Sequence, residues 1–162
     1  MSQINFQRLV LPADVTFLSE IWPAPYRQQF IEASLEWLAG DDPGEIFVVT
    51  HPLDGTIIGV TGWVPLGHNR AFLRWHGVLE VFRGHAYSTF ILEKLFQRLK
   101  THYYIHTVYE LTEDKPLDYF LKMGFKPVRS QNTIDWLKKE AGEFKHVLEL
   151  HLTSLPAQQG EQ

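Results

Sequence analysis

The sequence predicts a single α/β or α+β domain built on a central mixed sheet, and three observations carry that prediction. The chain has 162 residues, 44% hydrophobic and 21% charged, the size and composition of one ordinary soluble domain. Its second half alternates strand-like and helix-like segments, and a strand–helix–strand crossover implies some parallel pairing. It contains no cysteine, which removes disulfides, thiolate nucleophiles and Cys-ligated zinc together.

The elements follow in order. Asn5 to Val10 alternates polar and apolar residues, as a half-buried strand does. Ala13 to Ala39 is helical in pattern, interrupted at Trp22-Pro23-Ala24-Pro25 because proline cannot continue a helix. Asp41-Asp42-Pro43-Gly44 closes it as a turn. Ile46 to Thr50 and Thr56 to Val64 form a hairpin around Pro52-Leu53-Asp54-Gly55. Leu66 to Asn69 is a loop and Ala71 to Leu79 a strand, with Ala71, Leu73, Trp75 and Leu79 on one side and Phe72, Arg74, His76 and Val78 on the other.

Tyr87 to Lys100 is the clearest helix: Ile91, Leu92, Leu95, Phe96 and Leu99 make one apolar stripe, and Glu93, Lys94, Gln97, Arg98 and Lys100 take the opposite face. Tyr103 to Leu111 reads as a strand rich in aromatic and β-branched residues. Asp114-Lys115-Pro116 starts a short helix with a capping carboxylate, Leu117, Phe120 and Leu121 point inward, and Gly124 stops it. Phe125 to Val128 and Phe144 to Leu152 are the last strands, flanking a helix around Ile134 to Glu140. The domain is expected to span 1–155, with 156–162 a frayed tail.

Composition excludes several function classes. A net charge of -4 argues against bulk electrostatic gripping of nucleic acid. No apolar run is long enough to span a bilayer, and the first residues lack the basic and apolar regions of a signal peptide, so the expectation is a cytoplasmic protein away from membranes. The eight histidines give no set with metal-ligand spacing: His102 and His106 fall on a predicted strand edge, and His146 and His151 on opposite faces of the last strand. Neither a G-x-S-x-G elbow nor a phosphate-loop lysine motif occurs.

The informative stretch runs from Val78 to Thr89. A strand feeds a loop of small residues (Gly84, Ala86, Ser88), and a helix begins there. The first turn of a helix presents unpaired N–H groups and the positive dipole end to an anion, and Arg83 adds a fixed charge. The alternative is a plain strand-to-helix turn in which Gly84 only relieves strain.

Arg83-x-x-Ala86-x-Ser88 resembles the R/Q-x-x-G-x-G/A acyl-CoA signature of the GNAT-superfamily N-acetyltransferases. Asp114 to Phe125 resembles that family's second block, N-x-x-A-x-x-Φ-Y-x-k-x-G-F, and the element order agrees over nearly the whole chain. The resemblance implies a central mixed, mostly antiparallel sheet flanked by helices, acetyl-CoA as co-substrate, and direct attack of an acceptor amine on the thioester. It further implies that Gly77, Val78 and Leu79 offer backbone groups to the pantetheine arm. Backbone N–H groups of Arg83, Gly84, His85, Ala86, Tyr87 and Ser88 cradle the pyrophosphate, and Asp114 and Phe120 lie beside the cofactor.

The sequence departs from the family pattern in three places. Ala86 and Ser88 replace glycines, Phe120 stands where a general-acid tyrosine is usual, and Phe72 and Arg74 occupy strand positions that often hold a Glu or His. Proton handling is then expected from His76, Glu80 and Tyr119, which lies about 100° from Phe120 around the helix. Trp22, Trp37 and Trp63 are expected either to wall an acceptor pocket, holding a small cationic amine by cation–π contact, or to pack in the core. The acceptor is a small-molecule or peptide amine, no metal is expected, and the apolar face of the last strand could pair across a homodimer. The competing expectation is a non-catalytic acyl-CoA-binding or partner-binding module on the same fold.

Overall fold

The computed structural model describes residues 4–9, 16–22, 28, 32, 44–84, 86–142 and 144–152. Seven strands, β1 (Asn5–Arg8), β2 (Glu45–Thr50), β3 (Ile57–Gly67), β4 (Arg70–Val78), β5 (Thr107–Thr112), β6 (Lys126–Pro127) and β7 (His146–His151), form one sheet in the order β1-β2-β3-β4-β5-β7-β6. Among the elements whose bounds are described, three helices flank it: α1 (Tyr87–His102), α2 (Asp114–Lys122) and α3 (Gln131–Ala141). Short 3-10 turns occupy Thr16–Glu20 and Glu80–Phe82. Pairing is antiparallel in β1/β2, β2/β3, β5/β7 and β6/β7 and parallel in β4/β5, whose crossover is α1. The sheet is therefore mixed and mostly antiparallel, as expected.

Most of the helical stretch expected over 13–39 lies outside the described residues, as do Trp37, His85 and the expected tail at 156–162. Gln28 and Glu32 are helical there, and Gln28 Nε2 donates to Glu32 Oε1 at 3.2 Å, an i,i+4 pair.

Contacts divide the chain into two units, one of Met1–Pro65 with Leu73–Leu95, the other of Leu66–Phe72 with Phe96–Gln162. In the first, Ile4, Val49, Ile58, Val78 and Ile91 pack as one cluster, and Leu9, Leu18, Ile46 and Val60 as another, joined by Phe17, Ile21, Trp22, Val48 and Trp75. The β2–β3 hairpin turns as expected, with Asp54 Oδ1 accepting the Thr56 N–H at 2.9 Å. In the second unit the Phe125 ring meets Phe96 at 6.1 Å and Phe120 at 5.4 Å, over a core that includes Val108, Leu137, Leu148 and Leu150.

Five expectations are corrected. Tyr103–Leu111 is not one strand. The Leu99 carbonyl accepts from both Tyr103 and Ile105 as α1 ends, Tyr104 takes a left-handed φ of 56°, and β5 starts only at Thr107. His102 therefore ends a helix instead of lying on a strand edge. On β4 the alternation is interrupted at Trp75, which adopts φ 65° and takes Arg74, expected on the other side, onto its ring at 4.7 Å. Trp75 and Val78 still fall on opposite sides as expected, Trp75 in the Leu9–Leu18 cluster and Val78 in the Ile91 cluster.

Third, Asp114 does not cap α2: Glu113 is the N-cap, with no side-chain bond. Fourth, Leu121 is exposed, since a helix of 9 residues keeps only Phe120 fully inside. Fifth, the strand expected over Phe125–Val128 shrinks to Lys126–Pro127, and β7 has neighbours on both sides, β5 and β6.

Candidate functional site

β4 runs out at Val78, and the chain crosses a tight turn before α1. Leu79 N–H donates to the Ile58 carbonyl at 2.8 Å, Phe82 N–H to Leu79 at 2.9 Å and Arg83 N–H to Glu80 at 3.1 Å. Gly84 and Ala86 then take φ 80° and 62°, and the first bond of α1 runs from Phe90 N–H to the Ala86 carbonyl at 3.1 Å. Left-handed Gly84 and Ala86 turn the backbone into the helix, and a Cβ on Gly84 would find open space among the described residues. The loop empties into the first turn of a 16-residue helix, where unpaired N–H groups and the positive dipole end favour an anion.

The flanking side chains are braced against the scaffold. Arg83 Nε donates to the Val78 carbonyl at 3.1 Å and Nη2 to the Glu20 carbonyl at 3.2 Å, so the guanidinium pins the loop to the strand end and to the first 3-10 turn. Tyr87 meets Phe82 edge-on at 5.3 Å. Gly77 has a packing reason to be glycine, since a Cβ there would run into Ile21 Cγ2. Val78 and Leu79 are buried, and Glu80 is exposed at the start of its turn.

His76 lies two residues before the end of β4. Its Nε2 is 2.8 Å from Ser88 Oγ and its Nδ1 is 3.2 Å from Thr61 Oγ1. Burial lowers its pKa from 6.5 to about 4, so the ring is neutral at neutral pH with both nitrogens engaged. That arrangement weakens its expected role as proton acceptor, because a base works best with a pKa near the operating pH.

In the second unit, Asp114 opens α2, and its carboxylate receives Lys145 Nζ at 2.5 Å and His146 Nε2 at 2.7 Å. The Lys145 hydrogen bond first, and the His146 one second, hold its pKa below the usual carboxylate range. Tyr119 is partly buried with its ring edge-on to Phe120 at 5.3 Å. Phe120 is 6% exposed and brings no hydroxyl to replace the tyrosine expected there.

A residue that sequence reasoning missed is Glu110, in the middle of β5 opposite Leu148. Burial raises its pKa well above the ordinary carboxylate value, although its surface is only partly covered. Among the described residues its carboxyl has neither a hydrogen-bond nor an ion-pair partner. A partly accessible, desolvated and unpaired carboxyl is the signature of a proton-exchanging group. The signal in the sequence is one acid inside Val108-Tyr109-Glu110-Leu111, an otherwise apolar strand centre.

Trp63 does not wall a pocket: it is 3% exposed and donates Nε1 to buried Glu45. Trp22 sits edge-on to Trp75 at 6.1 Å. Among the described residues there is no group of three or more His, Asp or Glu able to hold a metal ion, and no helix long and apolar enough to cross a membrane.

No curated protein matches the chain by sequence. Among solved structures, the fold is similar to a GNAT-family acetyltransferase from Staphylococcus aureus Mu50 (TM-score 0.70, 15% identity, covering 93% of this chain and 99% of that one). It is also similar to a GNAT-family acetyltransferase from Elizabethkingia anophelis with acetyl-CoA bound (TM-score 0.63, 15% identity, 91% and 97%). A third is the ribosomal-protein-S18-alanine N-acetyltransferase of Escherichia coli (TM-score 0.66, 11% identity, 97% and 98%). The sequence profile of the Acetyltransferase (GNAT) family matches residues 14–125, which takes in the hairpin, the loop before α1 and the whole of α2. With that match and a seven-stranded sheet of the same kind, the chain belongs to the GNAT acetyltransferase family.

Proposed function

We propose that the chain transfers the acetyl group of acetyl-CoA to the amine of a small molecule or peptide. The observation that carries this reading is the loop of left-handed Gly84 and Ala86 leading from β4 into the first turn of α1, in a chain of this family. The open space at Gly84 and the first-turn N–H groups suit a pyrophosphate. Backbone groups of Gly77 and Val78 bind the pantetheine arm, Leu79 having both of its own engaged with Ile58 and Phe82.

The acceptor nitrogen, as the free amine, attacks the thioester carbonyl. An N–C bond forms, the C–S bond breaks, the amine gives up a proton and the CoA sulfur leaves as thiolate. Glu110 is the favoured proton acceptor, because its carboxyl is unpaired among the described residues and burial raises its pKa above the ordinary carboxylate value. Exposed Glu80 is second to it, and His76, with both nitrogens engaged, takes no part in the proton transfer. Tyr119 supplies the proton that neutralises the thiolate.

That a neighbour of this fold acetylates the alanine of a ribosomal protein supports a peptide amine as one acceptor class. Titration calorimetry with acetyl-CoA, followed by thiol release over a panel of amines and peptides, tests the whole reading. No binding of acetyl-CoA would overturn it. The packed Phe120 favours a second reading, a non-catalytic acyl-CoA-binding module, and turnover with any amine would overturn that.

A further inference from the structure

His76 joins three elements through two hydroxyls: Thr61 on β3, its own strand β4, and Ser88 in the first turn of α1. Thr61 is fully buried, and His76 is its only side-chain hydrogen-bond partner among the described residues. A sealed hydroxyl loses more by leaving its hydrogen undonated than by leaving a lone pair unused. Thr61 therefore donates to Nδ1, which leaves the Nε2–H of the neutral ring to donate to Ser88 Oγ. The bonds run one way, from β3 through the imidazole to the helix start.

Ser88 occupies the second small-residue position of the loop, where a side chain turned toward the ligand would crowd the phosphates. Its Oγ is instead 2.8 Å from a ring on β4, drawn back against the sheet. We propose that His76 is a positioning residue for the phosphate loop: by holding the Ser88 hydroxyl it fixes the first turn of α1 and keeps the loop's backbone N–H groups clear for the phosphates of the acyl donor. This inference rests on the acetyl-CoA reading above and explains how a serine is accommodated in place of glycine.

The test compares two probes on the full chain, acetyl-CoA and acetyl-pantetheine, which shares the thioester arm but lacks the phosphates. The variants are His76→Leu, His76→Gln and Ser88→Ala, each checked for folding by circular dichroism. His76→Leu is expected to weaken acetyl-CoA binding about tenfold, the worth of one well-placed hydrogen bond, with acetyl-pantetheine binding unchanged. His76→Gln, which keeps a donor and an acceptor, restores most of the loss. Ser88→Ala, which removes only a hydroxyl and so keeps the test open if His76→Leu misfolds, shows the same tenfold loss. The double variant is no worse than either single one, as two members of one linkage require. In turnover, KM for acetyl-CoA rises while kcat and the pH profile are retained.

A wild-type chain that binds acetyl-CoA while Ser88→Ala and a folded His76→Leu bind it equally well would overturn the role of His76 alone. So would equal losses for both probes, or a fall in kcat with loss of a pH limb, which would make His76 a proton carrier. A wild-type chain that binds no acetyl-CoA would overturn the acyl-donor reading and this inference with it.

Discussion

Trp63 and Glu45 face each other across the β2–β3 hairpin, and the indole Nε1–H donates to the Glu45 carboxylate at 3.0 Å with both residues almost fully buried. A Cβ at Gly44 would collide with the Trp63 carbonyl, so the chain entering β2 is threaded closely past this pair. Trp63→Phe removes the donor together with the pyrrole half of a buried ring, so a cavity penalty adds to the lost hydrogen bond. It is expected to cost at least about 1–3 kcal/mol, the penalty for stripping a buried carboxylate of a hydrogen bond, read as a lower urea midpoint with an unchanged m-value. A midpoint within error of wild type would show that the bond contributes nothing.

Ala86 stands in the left-handed region, where a Cβ costs about 1–2 kcal/mol. Ala86→Gly is expected to raise stability by roughly 1 kcal/mol, since the relief of strain exceeds the entropy that glycine loses on folding. Gly84→Ala is expected to lower it by a similar amount from backbone strain, since beyond its chain neighbours no atom of the described residues lies within 4 Å of the added Cβ. Thermal midpoints of the two variants should move in opposite directions.

Acid sensitivity follows from His76. The folded chain keeps this ring neutral down to about pH 4, whereas the unfolded chain protonates it near pH 6.5. Between those values the unfolded state binds the extra proton, so stability falls as pH drops through the window, by up to about 3 kcal/mol. His76→Gln removes that slope. Urea unfolding at pH 7, 6, 5 and 4 should show the two chains diverging in their pH dependence, and parallel curves would contradict a buried neutral imidazole.

Glu110→Gln separates chemistry from stability. A proton acceptor at this position is expected to be worth 10²–10⁴ in kcat/KM, and the variant should lose the acid limb of the pH–rate profile. Its effect on folding has the opposite sign. Because the folded-state pKa is raised, wild type loses stability as pH rises above the unfolded carboxylate value, so the glutamine chain should equal or exceed wild type at pH 8. Full activity in the variant would pass the proton-accepting role elsewhere.

How much of this was legible in the sequence depends on which force decided each feature. The stripe of Ile91, Leu92, Leu95, Phe96 and Leu99 specified α1, because every one of these residues is buried and the 3.6-residue period repeats over several turns. Tyr103 and Tyr104 look like strand residues by propensity, yet a helix end with left-handed Tyr104 claimed them, and no glycine marks that turn. A tryptophan at φ 65° carries no sequence signal at all, so the stacking of Arg74 on the Trp75 ring could not be read from alternation. His76 was visible as a titratable side chain in the right strand. The hydroxyls that occupy it come from Thr61 and Ser88, 15 and 12 residues away, and only tertiary packing sets such pairings. Glu110 went unnoticed because strand alternation does not distinguish a solvated face from one that is covered but still reachable.

Among the described residues the sheet finishes at β6, whose two residues are a lysine and a proline. Proline has no N–H to offer a passing strand, and a lysine beside it disfavours burial of that border. The last ladder, Lys126 with Glu149 and Pro127 with Leu148, is thereby a terminus in the chemical sense: polymer growth by strand addition has no template on this side. Crowded or concentrated chains are guarded here against end-to-end stacking into fibrils, and replacing Pro127 with a β-branched residue would remove the guard.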